Sequence, residues 1–205
     1  MPEITDLADL RALVSEPPAF IAEKAIDHVD DASRRFLAAS PFFVLATTGA
    51  DGSVDVSPRG DPAGQVLVLD GGTSVAFADR PGNHRLDSFR NILEHPEVGM
   101  LFLVPGRDHT LRINGRARLF ADPEFADRFA VQGKRPELAV VVEIDELFLH
   151  CAKAFARSSL WDPASWPGRG DVPSAGRMAK SISGTHVPAS AIDAALTMDV
   201  RTNQY

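Results

Sequence analysis

Cysteine is nearly missing from this chain, with Cys151 the only one in 205 residues. An internal disulfide is therefore excluded, and the expectation is a buried structural thiol in a reducing cytoplasm. Basic residues are short as well: 21 Lys and Arg stand against 28 Asp and Glu, for a net charge of −7. That balance disfavours general binding to nucleic acid, which needs a basic face to displace counterions. No apolar run approaches the length of a bilayer crossing, so no membrane partner is expected. The opening "MPEITDLADLRALVSEPPAF" carries acidic residues where a secretory signal would have a basic region and then an apolar core. The six histidines, at 28, 84, 95, 109, 150 and 186, show no HxH or HxxxH spacing, and no metal site is expected. Internal repeats are absent too.

What is there belongs to an ordinary globular chain, 44% hydrophobic and 24% charged, long enough for one domain with a real core. Residues 1–40 read as a helical segment packed on a β-rich barrel. "TDLADLRALV" offers Thr5 as an N-cap with Leu7, Leu10 and Leu13 at i, i+3 spacing, and "AFIAEKAIDHVDDASRRFLAAS" continues in helical style to Pro41. Residues 41–157 are β-rich. "FFVLATT", the loop "GADG" and "SVDVSPRG" make one hairpin; "QVLVLD", "DGG" and "TSVAFA" make another. "EVGMLFLV" is a continuous apolar strand, "TLRINGRARLF" alternates strictly, and "LAVVVEIDELFLHC" is the last long β run. "DPEFADRFA" has the start of a helix, with Asp122 as cap and Pro123 at the first position. Residues 158–205 begin with an irregular excursion rich in Pro, Gly and Ser and close in a short helix, "PASAIDAALTMDVRT". About six antiparallel strands with flanking helices result, and closure into a small barrel would remove exposed edges.

The stretch "ADRPGNHRLDSFRNI" carries the chemistry. Leu86, Phe89, Ile92 and Leu93 mark the buried stripe of a helix beginning near Asn83, directly after the Pro81-Gly82 turn. A helix N-terminus flanked by Arg80 and Arg85, with an amide from Asn83, suits phosphate. The bland alternative is that Asn83 caps the helix while the arginines pair with Asp79 and Asp87. Two further basic elements accompany it. Arg59 ends a strand beside Gly60, and Lys153 and Arg157 stand four apart, a spacing that repels unless an anion or carboxylate lies between them.

Taken together, "SPFFVLATTGADGSVDVSPRGDPAG", "ADRPGNHRLDSFRNILEHPEVGMLFLVPGRDHTLRINGRARL" and "HCAKAFARSSLW" resemble the pyridoxamine 5′-phosphate oxidase-like flavoproteins, in their bacterial branch of FMN-dependent enzymes of unassigned substrate. The resemblance implies a six-stranded antiparallel split β-barrel, mainly β with flanking helices, that forms a homodimer with FMN in a groove between subunits. It implies Arg59 as the basic residue of the first flavin-contacting strand, and Asp79, Arg80, Asn83 and Arg85 around the FMN phosphate. Thr110 and Leu111 would border the flavin ring, and Lys153, Arg157 and Ser158 would reach over from the partner subunit. The Arg-x-Val-Leu-Leu-Lys strand of the oxidase proper is replaced here by Val-Asp-Val-Ser-Pro-Arg-Gly, and its C-terminal arginine signature is lacking, so the flavin site is shared and the vitamin site is not. The expected function is an FMN-dependent oxidoreductase acting on a small molecule, with NAD(P)H or oxygen as the other partner. The alternative is a non-catalytic flavin- or haem-binding protein for storage or sensing. Asp61 and His109 are expected as loop residues near the groove, and Trp161 as an aromatic wall or an anchor. The phosphate pocket does not by itself separate FMN from FAD or a deazaflavin.

Overall fold

The computed structural model describes residues 3–205. Seven strands form one sheet: β1 (Phe42–Thr48), β2 (Val54–Gly60), β3 (Leu67–Leu69), β4 (Ser74–Ala78), β5 (Glu97–Leu103), β6 (Thr110–Ala121) and β7 (Leu138–His150). Their order is β2-β1-β5-β6-β7-β4-β3, and every neighbouring pair is antiparallel. The count is seven rather than about six: each β run read from the sequence forms a strand, including the short arm of the second hairpin, Leu67–Leu69. Helices α1 (Leu7–Leu13), α2 (Ala19–Ala22), α3 (Asp31–Ala39), α4 (Asp87–Glu94), α5 (Lys153–Ser158), α6 (Ala175–Ser183) and α7 (Ala189–Thr202) complete the chain.

Two sequence features fix the register. Pro58 lies inside β2, which is tolerable because β2 is an edge strand with one unpaired side. Gly115 marks the bulge in the β6–β7 ladder. A Cβ there would sit 2.0 Å from the Glu143 carbonyl oxygen, so only glycine fits.

The sheet is strongly curled. Phe43 on β1 and Phe77 on β4 have three strands between them in the ladder, yet their ring centroids are 5.0 Å apart. In a flat sheet four strand spacings would separate them by about 19 Å. Their contact, with Leu45, Met100, Phe102, Ile113, Val140 and Val142, makes the main core, covered by Phe89 and Ile92 of α4 and Leu37 of α3. A second cluster of Leu67, Ala76, Phe129, Ala139 and Val141 packs on the other face of β4 and β7. That is why "SVAFA" is buried at every position instead of alternating.

Several helical expectations need correction. The stretch from Ala19 to Ser40 is not continuous: α2 and α3 are separated by Ile26, which pairs with Leu147 through two backbone hydrogen bonds. Ile26 and Val29 reach the core that way, so tertiary burial overrides helical propensity. Asp6, not Thr5, caps α1, and α1 buries none of its residues. The segment after Asp122 forms only a 3-10 turn, Ala126–Phe129, and Asp122 itself has a φ of 47°. Cys151, just beyond the end of β7, is exposed rather than buried.

Candidate functional site

The curl brings the end of β2 beside the end of β4, and two adjoining cavities open there. An outer cleft of about 440 Å³ is bounded by Asp55, Ser57, Arg59, Asp79, Arg85 and Ser88. An inner chamber of about 380 Å³ lies beyond Arg59 and is bounded by Phe43, Asp61, Val66, Phe77, Arg80 and Tyr205. Pro58, Arg59, Arg80, Pro81 and Gly82 belong to both.

Each wall has a local origin. In β2 the period of two puts Asp55, Ser57 and Arg59 on the half-buried side. Arg59 stacks over Phe89 of α4, with its guanidinium carbon 5.1 Å from the ring centroid. Its Nε is buried and has no hydrogen-bond partner among the described residues. Burial pulls the Arg59 pKa down from its ordinary value, and the Asp79 and Asp55 carboxylates oppose that shift. Burial likewise pushes Asp79 up, against the attraction of Arg59. The Ser88 hydroxyl donates to Asp55 Oδ2 (3.1 Å) and shares a 3.1 Å contact with the Ser57 hydroxyl.

The turn between β4 and α4 is irregular. The helix begins at Asp87, not near Asn83, and its cap residue Leu86 offers no side-chain hydrogen bond. Asn83 instead accepts from the Arg85 backbone N–H at 3.1 Å, an Asx turn rather than a cap. Phe89 and Ile92 are buried as expected, but Leu86 and Leu93 are 52% and 74% exposed. His84 (φ 57°) and Leu86 (φ 59°) are both left-handed, a strained conformation for residues with a Cβ, costing about 1–2 kcal/mol each.

The arginines differ in their freedom. Arg80 is held through two of its nitrogens: its Nε donates to both Asp61 oxygens at 2.9 Å, and its Nη2 donates to Gln65 Oε1 (3.2 Å) and the Phe129 carbonyl (2.8 Å). Its carboxylate partner is thus Asp61, not Asp79, and burial raises the Asp61 pKa in spite of the pair. Arg85 pairs with Asp87 at 2.7 Å, but its side chain is 71% exposed. Such a pair is weak and exchanges readily.

Arg59, Asp79, Arg80, Asn83 and Arg85 therefore meet at one place. The other sequence candidates lie elsewhere in the chain. Thr110 and Leu111 open β6 and are buried; Thr110 is three strands from Gly60 along the row Gly60–Phe42–Leu103–Thr110. Lys153, Arg157 and Ser158 are exposed on α5, beyond β7. None of these five lines either cavity. His109 is an exposed loop residue. Trp161 stacks on Phe155 at 5.9 Å and donates its indole N–H to the Arg107 carbonyl, which ties α5 to the β5–β6 turn. Asp55, Ser57 and Ser88 escape the sequence reading, although the alternation Asp-x-Ser-x-Arg is there to be read. Tyr205 escapes it because no local pattern links it to residues so far back in the chain.

The family described as pyridoxamine 5′-phosphate oxidase matches residues 29–151 of this chain. The chain belongs to that family. No curated protein matches the sequence. Among solved structures it is similar to HupZ of Group A Streptococcus, with 13% identity, 59% of this chain and 93% of that one covered, and a TM-score of 0.47. An F420 reductase shares 20% identity over 58% of this chain and 98% of that one (TM-score 0.44). HutZ, the haem storage protein of Vibrio cholerae, shares 16% over 59% and 94% (TM-score 0.41).

Proposed function

We propose that the chain is an FMN-dependent oxidoreductase acting on a small molecule, with its curled sheet serving as a split barrel in a homodimer. The observation that carries this reading is Arg59: a guanidinium held at the wall of a cleft with one buried N–H that has no partner among the described residues. An orphaned buried donor costs about 1–3 kcal/mol, and an anionic ligand oxygen would satisfy it. The uncapped start of α4 borders the same cleft and adds free N–H groups.

The lining is balanced in charge: Arg59, Arg80 and Arg85 face Asp55, Asp79 and Asp87. A phosphate therefore enters by exchange. Arg85 leaves its solvent-exposed partner Asp87 and turns to the ligand, while Arg80, clamped by Asp61, keeps the Pro81-Gly82 turn in place. Protonation of Asp79 removes one opposing charge. FMN, when bound, would supply the two-electron redox chemistry. Thr110 and Leu111, with Lys153, Arg157 and Ser158 of α5, complete the groove only when a second subunit is present. In that assembly the cations of α5 would stabilise negative charge on the reduced cofactor.

The test is direct. Purified protein is titrated with FMN and followed by flavin fluorescence, then treated with NAD(P)H in the absence of air. Saturable binding that Arg59→Met weakens tenfold or more, with bleaching reversed by air, is expected. Binding indifferent to Arg59→Met would overturn the assignment of the cleft, and bound flavin that no nicotinamide bleaches would turn the reading to a carrier.

A further inference from the structure

We propose that the inner chamber is a second ligand site, for a small apolar monoanion such as an aromatic carboxylate, and that Tyr205 is its gate. This goes beyond the cofactor reading and shares with it the Arg59 N–H, for which the two anions would compete. The chamber has the volume of a small-molecule site, and much of its wall is apolar: Phe43, Val66, Phe77, Pro41 and Pro62. Three charged side chains line it, Arg59, Arg80 and Asp61. Arg80 and Asp61 neutralise each other at 2.9 Å, which leaves Arg59 as the cation of this wall; its Nε has no partner among the described residues, while Asp79 and Asp55 attract it from the outer cleft. An apolar body carrying one carboxylate matches those walls.

Another side is lined by Gln204 and Tyr205, which follow α7. The Tyr205 ring lies over Arg80, 5.3 Å from the guanidinium carbon, and Lys134 donates to the Tyr205 main-chain oxygen. Lys134, Asn203 and Tyr205 also meet Pro81 and Gly82 around an adjoining hollow, so this short segment bridges α7 to the turn that separates the two cavities. It is held lightly. One cation–π contact and one exposed lysine contact favour the closed position by roughly 3- to 20-fold. Arg80 is gripped far more firmly by Asp61, Gln65 and Phe129. On opening, the ring therefore moves and the arginine stays.

Tyr205 is the only tyrosine of the chain, so full-length protein made with 3-fluorotyrosine gives a single ¹⁹F resonance. With benzoate as the probe, that resonance should shift saturably towards the solvent-exposed position. Inorganic phosphate, which has no apolar body to fill the inner chamber and displace the ring, should leave it unmoved. By calorimetry, Tyr205→Ala should bind benzoate about 4- to 20-fold more tightly than the parent, because a closed gate reduces apparent affinity by the open fraction. Arg59→Met should lose benzoate at least tenfold. A resonance that benzoate does not move, an equal shift with phosphate, or weaker binding to Tyr205→Ala would overturn the gate. Flavin fluorescence reads FMN separately: a protein that binds FMN and not benzoate refutes this proposal alone, and the reverse refutes only the cofactor reading.

Discussion

Replacing Arg80 by alanine tests the scaffold under the site. The guanidinium makes four contacts of 3.2 Å or less, two to Asp61, one to Gln65 and one to the Phe129 carbonyl. The Arg80 and Asp61 side chains are only 14% and 16% exposed. Alanine leaves a largely buried carboxylate without its counterion and strips two acceptors of their donor. Breaking a buried pair by removing one partner costs about 3–5 kcal/mol; the residual exposure here places the loss near the lower end, about 3–4 kcal/mol. For a chain of this size that corresponds to a fall in Tm of about 6–16 °C. The loss depends on pH in a defined sense. Burial already raises the Asp61 pKa above its unfolded value and Arg80 opposes the rise, so removal of the arginine raises it further. A raised folded pKa favours the native state below the unfolded pKa, and that advantage disappears as pH climbs through the folded one. The Arg80→Ala defect should thus be small near pH 4 and full at pH 7.5. Urea unfolding followed by tryptophan fluorescence and far-UV circular dichroism reads it, and adding Asp61→Asn should restore about half. A defect under 1 kcal/mol at pH 7.5, or one that neither acid nor Asp61→Asn relieves, would refute the clamp.

Three other outcomes are expected. Arg85→Ala should leave Tm within about a degree of the parent, since its partner pair is exposed, yet weaken FMN about tenfold or more through loss of a charge-assisted contact; unchanged affinity would remove Arg85 from the site. Asp79→Asn should stabilise the protein increasingly as pH rises from about 4 to 7, because the native carboxyl titrates above its ordinary value. The same variant should flatten the gain in FMN affinity that the parent shows on acidification, and parallel pH curves for the two proteins would count against Asp79 as the opposing charge. Lys153→Ala should make the bound flavin harder to reduce, measured by dye-coupled potentiometry, and only in a species that light scattering shows to be dimeric; an unaltered potential would take α5 away from the cofactor.

The strands were legible because their signals are local: alternation in "TLRINGRARLF", a Gly-rich turn in "GADG", continuous apolar runs where both faces are covered. The first forty residues misled because Ile26 is recruited to β7, more than a hundred residues away, and helical spacing carries no trace of that demand. Leu86 fits the helical period but stays exposed, because α4 starts only after the left-handed turn at His84 and Leu86. At the site, "DRPGNHR" announced a cluster of donors. It could not announce that Arg80 is bound to Asp61 while Arg59 keeps an unpaired N–H, since both facts arise from the curl of the sheet.

That curl has a consequence for biogenesis. β2 is made early and β4 shortly after it, yet they become neighbours only once β5, β6 and β7 have joined the ladder in between. A chain that stops short of β7, at Leu138–His150, thus has no cleft, and the two walls meet only when about three-quarters of the polypeptide has been made.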